Sequence, residues 1–167
     1  VRVYNDIPQK STITILIRGE MFRKNTQEQD FIKCIESVQQ YVLPNFKNYT
    51  LIYDVASPFM EKMQNFFYKY RMLIHVLRLK TAVKKNQTLT VFDSINFLQS
   101  IVDLKKPLFL IRCDLCFRMS LKINLATMYD IDIIVPWWEK SSIGGVSAMF
   151  FILKNTEIVK KVLCKNI

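Results

Sequence analysis

Ile13-Thr14-Ile15-Leu16-Ile17-Arg18-Gly19 is a β-branched apolar run closed by a cation and a glycine, the pattern of a buried strand that ends in a turn. Over residues 26–42, Phe31, Cys34, Ile35, Val38 and Val42 recur at helical spacing, with Glu28 and Asp30 in the first turn and Pro44 just past the end. A second strand is predicted over residues 49–55. Ser57-Pro58 then reads as an N-cap and first-turn pair for a helix with Phe59, Met63, Phe66, Phe67 and Tyr70 on its apolar face. Residues 72–77 supply a third short strand and residues 80–90 a polar, basic loop. Phe92, Ile95, Leu98 and Val102 form another helical stripe. Strands four, five and six are expected at 108–111, 131–135 and 148–153, and Asn155 is placed to cap a closing helix bearing Val159, Val162 and Leu163. This alternation predicts an α/β fold for residues 1–167 as one domain: a Rossmann-like, mostly parallel sheet of about six strands with helices on both faces.

Composition agrees with such a core. The chain has 167 residues, 50% hydrophobic and 23% charged, far from the compositions that remain disordered. Its three glycines exclude collagen and glycine-rich repeats, and no apolar run approaches the roughly 18 to 20 residues of a membrane-spanning helix. No cationic region followed by an apolar run is visible at the N-terminus. Cys113-Asp-Leu-Cys116 has C-x-x-C spacing, but Cys34 and Cys164 stand apart and His75 lies in an apolar run, so a zinc site lacks its second ligand pair. Reduced cysteines in or near the core are expected, with a cytoplasmic, reducing setting. A net charge of +10 favours polyanions or phosphate-bearing ligands.

A sheet of this kind binds ligands beyond the carboxyl ends of its strands, so the residues that follow each strand are the candidates. Arg18, Gly19 and Arg23 can form a turn whose backbone approaches a phosphate held between two guanidinium groups, or a helix-capping turn with solvated arginines. Neither a P-loop nor G-x-G-x-x-G is present. Asp114, after the fourth strand, can bind a divalent cation or pair with Arg112 or Arg118. Asp54 can accept hydrogen bonds from a base or ribose, or cap the next helix as an Asx turn. Trp137-Trp138 offers a stacking platform for a sugar or base, or one buried ring and one cover. Gly144, Gly145 and Ser147 are expected in a turn that offers backbone N–H groups to a ligand or is simply a flexible connection.

A strand ending in Arg-Gly with a further Arg (13–23), a late strand ending in Arg112-Cys113-Asp114-Leu115, and an Ile-Ile-Val-Pro strand followed by Gly-Gly and Met-Phe-Phe-Ile-Leu (133–153) together resemble small glycosyltransferase-like proteins of the nucleotide-diphospho-sugar transferase superfamily, found in large DNA viruses and bacteria. The resemblance implies transfer of a sugar from a nucleotide-sugar donor to a hydroxyl of a glycan or protein acceptor. It implies an Asp-x-Asp motif holding Mn²⁺ or Mg²⁺, of which Asp114 matches the second acid and the catalytic metal ligand, while Arg112 occupies the place of the first. Arg112, Arg18 and Arg23 would then contact the diphosphate, Asp54 the nucleoside, and Trp137, Gly144, Gly145 and Ser147 the sugar or acceptor. Ala148 stands where related sequences more often have an acid. Virion association fits the viral members.

Two other functions fit the same residues. One is a non-catalytic structural or interaction protein on this fold. The other is a nucleic-acid binder that uses Lys80, Lys84, Lys85, Lys160, Lys161 and Lys165, the same lysines that a plain solvated face would carry.

Overall fold

In the computed structural model of the protein, the residues described are 1–24, 27–82, 87–103, 105–121, 126, 131, 133–134, 138–139, 145–146 and 150–155, with 87–89, 133, 138–139, 145–146 and 150–151 described by their backbone alone. The elements run β1 (Arg2–Val3), β2 (Ile13–Glu20), α1 (Glu28–Tyr41), a 3₁₀ turn (Leu43–Asn45), β3 (Tyr49–Ser57), α2 (Met60–Lys69), β4 (Val76–Thr81), α3 (Gln87–Gln99), β5 (Leu108–Arg112), β6 (Ile133–Ile134), β7 (Trp138–Glu139), β8 (Gly145–Val146) and β9 (Phe150–Leu153).

Seven of these strands form one sheet in the order β1-β4-β3-β2-β5-β9-β6, and β7 pairs with β8 separately. The central block β4-β3-β2-β5 is parallel throughout. β1 joins one edge antiparallel, and β9 runs antiparallel between β5 and β6 at the other. The predicted α/β, Rossmann-like, mostly parallel sheet is therefore present, extended by β1.

Strand periodicity sorts the core into two layers. Ile13, Ile15 and Ile17 of β2, with Leu51, Tyr53 and Val55 of β3 and Phe109 and Ile111 of β5, pack against Phe31, Ile35 and Val38 of α1 and Met63, Phe66 and Phe67 of α2. Their alternates Leu16, Ile52, Val76, Leu108 and Leu110 pack with Ile95 and Leu98 of α3. Helices thus cover both faces. Each such aliphatic side chain contributes about 1.5–3 kcal/mol when removed from water.

Several boundaries differ from expectation. β2 runs on through Arg18 and Gly19 to Glu20, so the chain turns after the strand and not at the glycine. Strand three lies at Val76–Thr81 and not at 72–77, because residues 70–73 close α2 through Tyr70 N to Phe67 O and Leu73 N to Tyr70 O, each 3.0 Å. Lys80 and Thr81 are accordingly strand, and α3 begins at Gln87 within the stretch expected to be loop. α2 starts one residue beyond the Ser57-Pro58-Phe59 turn, in which the Phe59 N–H donates to Ser57 Oγ at 2.9 Å. The expected helix after Asn155 lies outside the described residues, as do residues 148–149 of the sixth strand. No helix among the described residues is long and apolar enough to cross a membrane.

Candidate functional site

β2 has β3 on one side and β5 on the other. The chain leaves β2 to build β3 and β4 in one direction, then returns to place β5 on the opposite flank. At such a reversal the loops diverge and open a crevice at the carboxyl ends of the strands. Arg18 is in register with Asp54 on one neighbour and Arg112 on the other, and Asp54 with Arg78, so Arg112, Arg18, Asp54 and Arg78 form one row across β5, β2, β3 and β4. Neighbouring strands lie about 4.8 Å apart. Each member follows by two residues an apolar side chain of the α3 layer (Leu110, Leu16, Ile52, Val76), so the whole row faces α3.

Asp54 sits at the centre of a closed ionic network. Its carboxylate has no exposed side-chain surface and accepts from Arg78 Nε and Nη2, both at 2.8 Å, from Lys80 Nζ at 3.1 Å and from Ser94 Oγ. Asp93 of α3 shares both cations, accepting from Arg78 Nη2 at 2.8 Å and Lys80 Nζ at 3.0 Å. The Arg78 guanidinium also lies 4.2 Å from the Phe97 ring centroid. Burial opposes ionisation of Asp54, yet the hydrogen bonds from Arg78 and Ser94 and the charge of Lys80 outweigh it and hold its pKa below the usual carboxylate range. Asp54, expected to accept from a base or ribose, has its oxygens engaged by Arg78, Lys80 and Ser94 here, and it fixes Arg78 and Lys80 at the crevice wall. Lys80, a candidate nucleic-acid contact, is committed to the same network; Lys84, Lys85, Lys160, Lys161 and Lys165 lie outside the described residues.

Arg18 is different. Only 9% exposed, it donates from Nη2 to the Thr90 hydroxyl on α3, and its Nε has no hydrogen-bond partner among the described residues. Burial pushes its pKa down; Asp54 opposes that shift and Arg112 adds to it. A buried guanidinium whose hydrogen-bonded partner is a neutral hydroxyl is costly unless an anion reaches it.

Arg112 forks onto Asp114, Nε to Oδ1 at 3.0 Å and Nη2 to Oδ2, and this hydrogen bonding holds the Arg112 pKa up. Both side chains are part-exposed, at 35% and 48%. Arg23 Nε lies 3.3 Å from Glu20 Oε2, after a turn in which Phe22 takes φ 55. That strained conformation is held by the core: Phe22 is fully buried, edge-on to Phe31 at 5.1 Å and Phe66 at 5.5 Å. Gly19, at φ 139, has its open side against Cys113, where an added Cβ would stand 2.8 Å from Sγ. The glycine thus lets β2 and the end of β5 close up, with Cys113 N donating to Arg18 O at 2.8 Å.

These groups line one cavity of about 150 Å³, walled by Arg18, Gly19, Arg23, Lys80, Arg112 and Asp114, with Glu20, Asp54, Thr90 and Ser94, and with Ala56, Ala82 and Cys113 as its apolar part. The cavity has room for a small anion.

A hard divalent cation draws on one or two carboxylates plus substrate oxygens in an oxygen-rich shell. Here the first acidic place holds Arg112, and Asp114 is already forked by that guanidinium, while Glu20 is paired with Arg23. Among the described residues no three His, Cys, Asp or Glu side chains are placed to hold a metal ion together. The donor set does not fit the Mn²⁺ or Mg²⁺ expected at Asp114.

Trp137, Gly144 and Ser147 lie outside the described residues, and Gly145 is placed only as the β8 partner of Glu139. Sequence reasoning missed Arg78, Thr90, Asp93 and Ser94. The alternation of Arg78 and Lys80 with Leu77 and Leu79 carries the signal for the first, and Thr90 and Ser94, four residues apart and so on one face of α3, for two of the others. Cys34 and Cys113 are buried as expected, but Cys116 is exposed, and all three are free thiols. His75 accepts from Leu51 N through Nδ1 at 3.0 Å, a structural role.

No known family matches the sequence, and no curated protein does. Solved structures do. The 4-diphosphocytidyl-2C-methyl-D-erythritol synthase of Anaerococcus prevotii aligns with 94% of this chain and 78% of its own, at 8% identity and TM-score 0.57. A second 4-diphosphocytidyl-2C-methyl-D-erythritol synthase covers 94% and 81% at 11% identity and TM-score 0.50. The apo form of the glycosyltransferase GlyE from Streptococcus pneumoniae gives TM-score 0.42 at 10% identity, with 37% of that chain covered. The chain shares its overall fold with these two 4-diphosphocytidyl-2C-methyl-D-erythritol synthases.

Proposed function

We propose that the protein binds a nucleotide-diphospho-sugar at the carboxyl edge of its sheet and transfers the sugar to a hydroxyl acceptor. The observation that carries this reading is Arg18: a buried cation at the floor of the switch-point crevice, its Nε unpaired among the described residues, beside Arg112 in register. The resemblance over residues 13–153 and the shared fold point to the same class of ligand. In this reading Arg18 and Arg112 hold the diphosphate from below and from the side, and Arg23 closes over it from the turn. The Asp54–Arg78–Lys80 network keeps the adjoining wall rigid. Departure of the nucleoside diphosphate builds negative charge on its oxygens, and guanidinium groups already in place stabilise that charge without reorganising.

Thermal shift with uridine, guanosine, cytidine and adenosine diphosphates and their sugars tests this. A ligand at a hundredfold excess over Kd stabilises by about 2.7 kcal/mol, or about 5–11 °C for a chain of this size. The reading expects such a shift with one nucleotide and its loss in Arg18→Met, followed by release of nucleoside diphosphate from the matching donor. No shift with any nucleotide overturns it.

A further inference from the structure

Asp114 and Arg112 form a pair whose geometry is that of a guanidinium and a phosphate. Both Arg112 Nε and Nη2 donate to the two carboxylate oxygens, a bidentate fork that a phosphate presents equally well. Arg112 is the in-register neighbour of Arg18, and the two like charges disfavour one another. Asp114 relieves that repulsion from one side only, because Arg18 Nε stays buried and without a hydrogen-bond partner among the described residues. Both members of the Arg112–Asp114 pair are substantially exposed, so separating them forfeits little.

We infer that the crevice takes a diphosphate without a divalent cation, and that Asp114 is an internal stand-in for the incoming phosphate, released from the Arg112 fork when the ligand binds. This rests on the phosphate-binding reading above and deepens it. A diphosphate that bridges Arg112 and Arg18 supplies the anion that Arg18 lacks and replaces the one that Arg112 surrenders. No bond is made or broken; the exchange is of ionic partners. Asp114 in this role competes with ligand, whereas an acid that held a metal would recruit it, and the two roles predict opposite consequences of the same substitution.

The test is calorimetric binding of inorganic pyrophosphate and of the nucleoside diphosphates to wild type, Asp114→Asn and Arg112→Gln, each in EDTA and in Mn²⁺, with thermal melts without ligand to show that each variant is folded. The expectation is binding that EDTA leaves unchanged, about three- to fivefold tighter in Asp114→Asn, and weakened at least about tenfold in Arg112→Gln. Should Arg112→Gln fail to fold, the Asp114→Asn comparison alone decides. Binding that appears only with Mn²⁺, or that weakens in Asp114→Asn, overturns the inference while leaving a nucleotide site in place. Absence of binding by every variant in both buffers overturns the phosphate-binding reading itself.

Discussion

Replacement of Asp54 by asparagine is the sharpest probe of how the crevice wall is built. The side chain keeps its size and loses its charge. In the native protein the carboxylate has no exposed surface and accepts two 2.8 Å bonds from Arg78, one at 3.1 Å from Lys80 and one from Ser94. Asparagine retains one acceptor and turns an NH₂ towards cations whose side chains are only 17% and 28% exposed. Removal of one partner from a buried ion pair costs about 3–5 kcal/mol, because the remaining charge stays buried and uncompensated. The neighbouring Asp93 and the Phe97 ring keep part of the Arg78 interaction, which places the expected loss at the lower end, about 3 kcal/mol. For a chain of this length that is roughly 6–12 °C in Tm.

Equilibrium urea unfolding followed by tryptophan fluorescence measures it. The double variant Asp54→Asn/Arg78→Met removes both charges and is expected to recover more than about 1 kcal/mol of the single variant's loss. Acid provides a second reading with a definite sign. The folded pKa of Asp54 is depressed below its unfolded value of about 3.9, so its contribution is complete above that range and is lost as pH falls through the folded value. The stability gap between wild type and Asp54→Asn must therefore narrow on acidification. A loss under about 1 kcal/mol at neutral pH, or a gap that persists in acid, refutes the network as the support of this wall.

Gly19→Ala meets both a φ of 139 and a 2.8 Å contact with Cys113 Sγ, and is expected to lose about 2–3 kcal/mol in the same urea assay; Gly19→Ala/Cys113→Ala removes the contact but not the strain and recovers only part. Phe22→Ala empties a fully buried site between Phe31 and Phe66, with an expected loss of about 3–5 kcal/mol by thermal or urea unfolding. In a Cys164→Ser background, iodoacetamide at pH 8 followed by peptide mass mapping should label Cys116 alone, since burial pushes the Cys34 thiol up to about 12 and Cys113 further still. Equal labelling of Cys34 or Cys113 in the native state would contradict their burial.

The layers were legible because a β-branched run such as Ile13 to Ile17 can be satisfied only in a covered strand, and the stripes from Phe31 to Val38 and from Met63 to Phe67 show which helical faces cover it. Arg18 and Arg112 were legible for a different reason: each ends an apolar run, and a parallel sheet gathers such ends on one edge. Arg78 was hidden because its strand was assigned four residues too early. The apolar residues 72–77 looked self-sufficient, while the true strand carries Arg78 and Lys80 on one face. A strand with Arg78 and Lys80 on one face is tolerable only where another element brings acids to that face, and the acids come from the neighbouring strand and from α3. The local alternation marks the strand, but which acids meet its cations is tertiary information.

The row Arg112–Arg18–Asp54–Arg78 also explains why one crevice can be at once rigid and receptive. Charges about 4.8 Å apart across a sheet interact strongly once water is excluded, so an alternating row would neutralise itself and bind nothing. This row does not alternate: the acid is shifted to one side, where Arg78, Lys80 and Ser94 saturate it, and the two arginines on the other side are left adjacent. Asp114 compensates the outer one through a part-exposed pair, and the inner one is compensated only at a distance. An arrangement that is neutral at one end and short of an anion at the other would, on the proposed reading, take its ligand at β2 and β5, the two strands between which the topology opens the crevice. Exchange of Arg18 and Asp54 tests this directly. Arg18→Asp/Asp54→Arg keeps composition and net charge, but sets an acid beside Arg112 and a cation beside Arg78. Pyrophosphate binding should vanish in calorimetry; retention of native affinity would show that net charge, and not the order of the row, makes the site.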